Sequence, residues 1–191
     1  MLKALFQHDL LTAITCPSCQ HTSQGRETNY ILGVRFEEAA PLHKILQTKT
    51  FAKNILYGRN CDKCHTTADT SQTVRLLRSP DILVLQFLRF RSTGTKKMAT
   101  IAFNEELDLT PFTLGLTPLR YQLRSVVHHR GTMSFGHYKT VARGPAGWVE
   151  VDDSKVSRAR INDAQSPAGN WTPYILFWTR IAVSENERAT T

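Results

Sequence analysis

Gly136-His137-Tyr138-Lys139-Thr140-Val141-Ala142-Arg143, then Gly144-Pro145-Ala146-Gly147, then Trp148-Val149-Glu150-Val151-Asp152-Asp153 reads as a single β-hairpin. Two strand-like runs, 138–143 and 148–151, flank a strong Gly/Pro turn signal. The hairpin commits this half of the chain to antiparallel pairing and sets Asp152 opposite His137. A histidine that exchanges a proton needs an acceptor on its second ring nitrogen to fix the tautomer, and Asp152 is placed to be that acceptor. Asp153 is expected to face the other side, where it could polarise a water or an oxyanion-stabilising group. Ordinary alternatives exist: a hydrogen-bonded structural histidine and a solvated acidic turn. Spacing alone leaves a catalytic triad behind them.

Working outward, residues 121–128 and 174–179 are further strand candidates, with 157–172 polar and irregular between them. His128 and His129 have no carboxylate at a matching spacing and read as structural or substrate-flanking. Upstream, Ile82-Leu83-Val84-Leu85-Gln86-Phe87-Leu88-Arg89-Phe90 follows the turn Ser79-Pro80-Asp81 and is apolar enough to be buried on both faces, which predicts a central strand. Residues 92–95 read as a hairpin-like loop and 100–103 as the next strand. Toward the N-terminus, 73–78 and 30–36 are strand candidates, 21–27 a polar loop, and Pro41-Leu42-His43-Lys44-Ile45-Leu46 a short helix. Leu5, Phe6, Leu10, Leu11 and Ile14 suit one or two short strands, and 184–191 a frayed tail. The pattern predicts an α+β protein that is mostly antiparallel β with little helix.

The four cysteines form two pairs, Cys16-Pro17-Ser18-Cys19 and Cys61-Asp62-Lys63-Cys64. Two such knuckles match a tetrahedral four-thiolate zinc site. Backbone N–H groups turned back on the sulfurs offset their charge. Disulfides are disfavoured for an intracellular chain, and a redox pair would put one such motif at a helix start. Four protein ligands leave no open position on the metal, so one structural Zn2+ is expected, contributing folding free energy to a polar extension. No cysteine then remains to act as a nucleophile.

With 191 residues and 41% hydrophobic content, the chain can bury a core. No apolar run reaches the roughly eighteen residues of a membrane span, and the N-terminal apolar run is too short for a signal-peptide core. An intracellular protein of cytoplasm or nucleus, with no membrane partner, is expected. A net charge of +8 would suit a polyanion, but Lys and Arg are dispersed. The tightest cluster, Arg89, Arg91, Lys96 and Lys97, lies beside a turn and reads as a solvated basic surface, so a nucleic-acid partner is not expected.

Taken in order, these motifs resemble the catalytic domain of the ubiquitin-specific proteases, papain-like thiol hydrolases that release ubiquitin. Leu5-Phe6 with the two cysteine pairs is similar to the family's zinc fingers, and Ser79-Pro80-Asp81 through Phe90 to its palm strand. Residues 121–131, Gly136-His137-Tyr138, Trp148, Asp152-Asp153 and Tyr174-Ile175-Leu176-Phe177 are similar to its histidine box and last strand. The resemblance covers residues 2–180 and implies zinc-ribbon fingers over about 10–78 and a palm over about 79–183. It implies His137 as general base, Asp152 as its orienting carboxylate, and Asp153 as a neighbour organising the site. The 131–135 loop, with Ser134, Phe135 and Gly136, would flank the channel for ubiquitin's diglycine tail. Ubiquitin or ubiquitinated proteins are the implied partners. The family's nucleophile-bearing segment and helical thumb find no match here, which leaves an apolar palm face for a protein partner to cover.

Overall fold

The computed structural model describes residues 2–115 and 117–182; the tail expected at 184–191 lies outside the described residues. Its strands, in chain order, are β1 (His8–Thr15), β2 (Thr22–Asn29), β3 (Leu32–Val34), β4 (Ala40–Pro41), β5 (Asn54–Asn60), β6 (Thr67–Arg78) and β7 (Ile82–Phe87). There follow β8 (Ile101–Ala102), β9 (Glu106–Asp108), β10 (Arg120–Gly131), β11 (Gly136–Gly144), β12 (Gly147–Asp152), β13 (Lys155–Arg158) and β14 (Thr172–Arg180). Three short helices, α1 (Leu2–Phe6), α2 (Leu42–Ile45) and α3 (Ile161–Gln165), complete a mostly antiparallel architecture with little helix, as the sequence predicts.

Two sheets divide the chain. The small one has the order β2-β1-β6-β5, and the large one runs β13-β12-β11-β10-β14-β7-β3 with β9 on a second section of β10. All pairings in the small sheet are antiparallel; β3–β7 and the two-residue β4–β8 pair are parallel. The core lies on one face of the large sheet, where Leu83, Leu85 and Phe87 of β7, Leu176 and Trp178 of β14, and Tyr121 and Leu123 of β10 are fully buried. Leu42, Ile45 and Leu46 from α2 and the wide helical turn that continues it pack into the same core.

Several elements depart from the sequence reading. Residues 21–27, read as a polar loop, fall almost wholly in the edge strand β2 (Thr22–Asn29), whose polarity reflects two wet faces. The first residues form the helical turn α1 before β1 begins at His8. Pro41 caps α2 at φ −64 and ψ 141, one position ahead of the helix. The run 157–172 holds the end of β13 and all of α3. Strand β7 is buried as expected but is penultimate, with only three-residue β3 outside it; β10 and β14 occupy the interior.

The basic cluster is the largest correction, because Arg89, Lys96 and Lys97 turn inward and Arg91 alone of the four stays exposed. Arg89 is fully buried, donating from Nε to the Pro173 carbonyl at 2.6 Å and from Nη1 to the Lys97 and Ala99 carbonyls at 3.0 Å. Its guanidinium lies over the Phe36 and Phe87 rings, 5.1 and 5.5 Å from their centroids. Lys97 donates to the Phe36 carbonyl and Glu37, and Arg91 also reaches Glu37. A loop without ladder bonds of its own has its carbonyls satisfied by these cations.

Candidate functional site

Two consecutive hairpins assemble the site. Strands β10 and β11 are joined by the turn 132–135, closed by the Thr132 N–H donating to the Phe135 carbonyl at 2.7 Å, with Gly131 opposite Gly136. Gly131 sits at φ +123, a conformation other residues avoid. Gly136 has no room for a Cβ, because the His129 ring lies directly against it. The backbone entering His137 is therefore pinned from below. His129 itself is buried among Phe90, Tyr138 and Tyr174, with ring centroids 4.7–5.7 Å away. Burial, then the nearby Lys96 charge, lowers its pKa. Lys96 donates to the His129 carbonyl at 2.8 Å, and its own pKa is pulled down to about 8 by burial and then by Arg89.

The second hairpin pairs Thr140 with Val151 and Gly144 with Gly147. Asp152 then ends β12 beside the start of β11, and its Oδ1 lies 2.5 Å from His137 Nε2. Both side chains are partly exposed, 39% for His137 and 38% for Asp152. The hydrogen bond from His137 holds the Asp152 carboxyl below the usual carboxylate range, against the opposing effect of desolvation, with Lys139 and Lys155 assisting. An ionised carboxylate only accepts, so Nε2 carries the proton and Nδ1 is the free acceptor. Among the described residues Nδ1 has no hydrogen-bond partner.

Strand alternation would send Asp153 to the opposite face. It does not, because Asp153 leaves the strand at φ 52 in the turn to β13, and its Oδ2 comes to 3.8 Å from the same His137 Nε2. Ser134 and Phe135 stand on the exposed turn preceding His137, Phe135 with 83% of its surface open. Of the residues singled out, the structure thus brings His137, Asp152 and Asp153 together and leaves Ser134, Phe135 and Gly136 on the approach. His128 is buried behind them, bonded through Nε2 to the Ala164 carbonyl at 2.9 Å, and burial lowers its pKa to about 4.

Sequence reasoning missed Trp171. Its indole meets the His137 ring edge-on, centroids 5.7 Å apart at 62°. The only signal was a bulky aromatic in the polar stretch Gly169-Asn170-Trp171, where solubility alone would not place one.

A second cluster caps the small sheet. Each cysteine knuckle closes a hairpin, β1–β2 for Cys16 and Cys19 and β5–β6 for Cys61 and Cys64. The knuckles share a backbone: the N–H groups of Gln20 and His65 return to the Cys16 and Cys61 carbonyls, and both residues adopt positive φ, 58 and 56. Strand β1 pairs with β6 and brings the hairpin ends together. Sγ atoms of Cys16 and Cys64 lie 3.8 Å apart, those of Cys19 and Cys61 3.7 Å, and all four fall within 4.8 Å of one another. A tetrahedron with metal–sulfur bonds of about 2.3 Å has sulfur–sulfur edges of about 3.8 Å. The set therefore fits a four-thiolate ion, and no sulfurs are bonded to each other. Hydrogen bonds from Thr66 draw the Cys64 thiol down to about 6, whereas at Cys19, against the lowering His21 backbone N–H, burial and the neighbouring sulfurs push the thiol up to about 11. All four cysteines of the chain are in this cluster, so none stands beside His137.

The mostly antiparallel sheet and the pairing of His137 with Asp152 can be set beside known proteins. A family model described as ubiquitin carboxyl-terminal hydrolase matches residues 1–178. The chain belongs to the ubiquitin carboxyl-terminal hydrolase family. It is 30% identical over 186 residues to ubiquitin carboxyl-terminal hydrolase 21 of Arabidopsis thaliana, covering 92% of this chain and 25% of that protein. With the 17-like protein B of Mus musculus it shares 30% over 175 residues, covering 87% of this chain and 36% of the relative. Among solved structures, the SAGA DUB module of Ubp8, Sgf11, Sus1 and Sgf73 bound to monoubiquitin superposes with a TM-score of 0.84 at 26% identity, over 96% of this chain and 42% of the matched one. The chain thus spans about a quarter to a third of the length of these curated relatives.

Proposed function

We propose that this chain is the base-bearing and metal-bearing part of a thiol-dependent deubiquitinase, which hydrolyses the bond after the C-terminal glycine of ubiquitin. The 2.5 Å contact between His137 Nε2 and Asp152 carries the reading. Asp152 fixes the ring with Nδ1 open, so Nδ1 takes the proton of an attacking thiol and returns it to the leaving amine. Asp152 stabilises the imidazolium formed in between, and Asp153 adds negative charge on the same side. The extended diglycine would pass the exposed turn at Ser134, Phe135 and Gly136, which leads directly to His137. Cys16, Cys19, Cys61 and Cys64 hold one Zn2+, which ties the two hairpins into a clamp for the globular body of ubiquitin and takes no part in the chemistry.

The nucleophile comes from outside these residues, since every cysteine here serves the metal. A partner or further segment of the enzyme covers the apolar groove lined by Phe6, Tyr30, Ile31, Val84, Ile175 and Phe177. Cytoplasm or nucleus is the compartment this activity and these free thiols suit. The same allocation of cysteines favours one second reading, a ubiquitin-binding scaffold without turnover. Two measurements test the proposal. The chain alone should not turn over a ubiquitin–fluorophore amide, and turnover abolished by His137→Ala would refute the allocation of roles. Added ubiquitin should shift the amide resonances of residues 132–137, and their indifference would remove ubiquitin as the ligand. A basic nucleic-acid-binding reading loses its footing with Arg89 and Lys97 turned inward.

A further inference from the structure

Trp171 has a position that the general-base reading does not use. It stands at the entrance to β14, three side chains converge on its indole, and all three belong to the strands that build the site. The Arg130 guanidinium, from the end of β10, lies 4.7 Å from the ring centroid, and the Lys139 ammonium, from β11, lies 4.9 Å away. The third is His137 at 5.7 Å. Lys139 is also paired with Glu150 of β12 at 2.8 Å, so its place at the indole is held from both sides.

We propose that Trp171 is a positioning residue for His137: its indole keeps the imidazole on Asp152 and anchors Arg130 and Lys139 beside the site as two fixed cations. This rests on the reading of His137 as the base. Asp152 at 2.5 Å and Asp153 at 3.8 Å both favour the imidazolium. Unopposed, two carboxylates would bias the ring toward the protonated form, which accepts no proton. Arg130, which lies opposite His137 in the β10–β11 ladder, and Lys139 oppose them, and the indole covers one edge of the ring. Glu150 is paired with Lys139, and Lys155 acts on Asp152 from the start of β13. An aromatic ring attracts cations to its π face, which holds flexible basic side chains in place. A phenylalanine retains that attraction, whereas alanine loses it.

The test is the titration of the His137 ring protons by NMR in the full chain with its metal bound. Trp171→Ala should raise the His137 pKa by about half a unit to one unit, since it removes the ring contact and frees the Arg130 guanidinium from its place beside His137. It should also abolish the indole's ring-current contribution to the His137 proton shifts. Trp171→Phe should restore most of the pKa. Arg130→Gln should give a smaller rise with the ring-current shift intact; it leaves the indole in place, so it carries the test even where Trp171→Ala fails to fold. Unchanged titration in Arg130→Gln and in any folded Trp171→Ala would overturn the inference while leaving His137 as the base. Indifference of residues 132–137 to ubiquitin would instead sink the functional reading and leave these titrations as they are.

Discussion

The two sheets of this protein are both largely antiparallel, yet they are stabilised by opposite means. In the large sheet, strands β7, β10 and β14 put Leu83, Leu85, Phe87, Tyr121, Leu123, Leu176 and Trp178 into one core. In the small sheet, β2 and β5 have no buried residue at all. What is buried there is chiefly at the ends: Cys16 and Cys61 at the tip, and His8, Asp9 and Leu76 at the base. Asp9 is held at that base by Arg26 and Thr28, each at 2.6 Å. A β layer with no core to rest on is secured at its two ends, by a four-thiolate cluster and by a buried polar junction.

That contrast can be broken most forcefully at the tip. Removing the metal from a structural zinc site forfeits an apparent binding free energy of about 10–16 kcal/mol. A chelator, or Cys61→Ser, is therefore expected to expose the amides of β1, β2, β5 and β6 to hydrogen exchange while those of β7 and β14 stay protected. One zinc per chain by metal analysis, falling to none in Cys61→Ser, is the accompanying result. Uniform loss of protection would mean that the sheets unfold as one.

Within the large sheet the greatest single effect should come from Arg89→Met. It strands the carbonyls of Pro173, Lys97 and Ala99 in the interior, a cost of about 3–5 kcal/mol read from chemical denaturation. Next is acidification. His128 has its pKa lowered to about 4 by burial against an ordinary 6.5. The unfolded chain therefore binds the extra proton between those values, so stability is complete above about pH 6.5 and falls as pH drops toward 4. The loss amounts to about 3 kcal/mol and should vanish in a folded His128→Gln variant. At the small end, Thr15→Ala removes only an exposed hydroxyl pair with Thr22, 2.9 Å apart. It should cost a few tenths of a kcal/mol, within the range of exposed cross-strand pairs.

Much of this was legible in the residues. The β11–β12 hairpin announced itself through Gly144-Pro145-Ala146-Gly147, whose turn fixes the register that sets Asp152 against His137. The apolar run of β7 declared its burial but not its rank in the sheet, since periodicity reports faces and is silent about neighbours. Strand β2 escaped because alternation marks a strand only when one face is dry. Arg89 misled for a related reason: a charge beside a turn normally faces water, and only the packing of Phe36, Phe87 and Pro173 around it makes an interior place for a cation.

The sequence by itself determined the features encoded over short spans. These are the paired knuckles with two residues between their sulfurs, the turn chemistry of the hairpins, and the carboxylate brought back to His137. Tertiary structure alone decided what depends on strands distant in the chain. It set β14 beside β10, brought Trp171 onto His137, and buried Arg89 under the last strand. Local geometry is fixed by the few dihedrals between neighbouring residues, whereas sheet order is chosen by which arrangement buries the most apolar surface, a property that no short stretch carries.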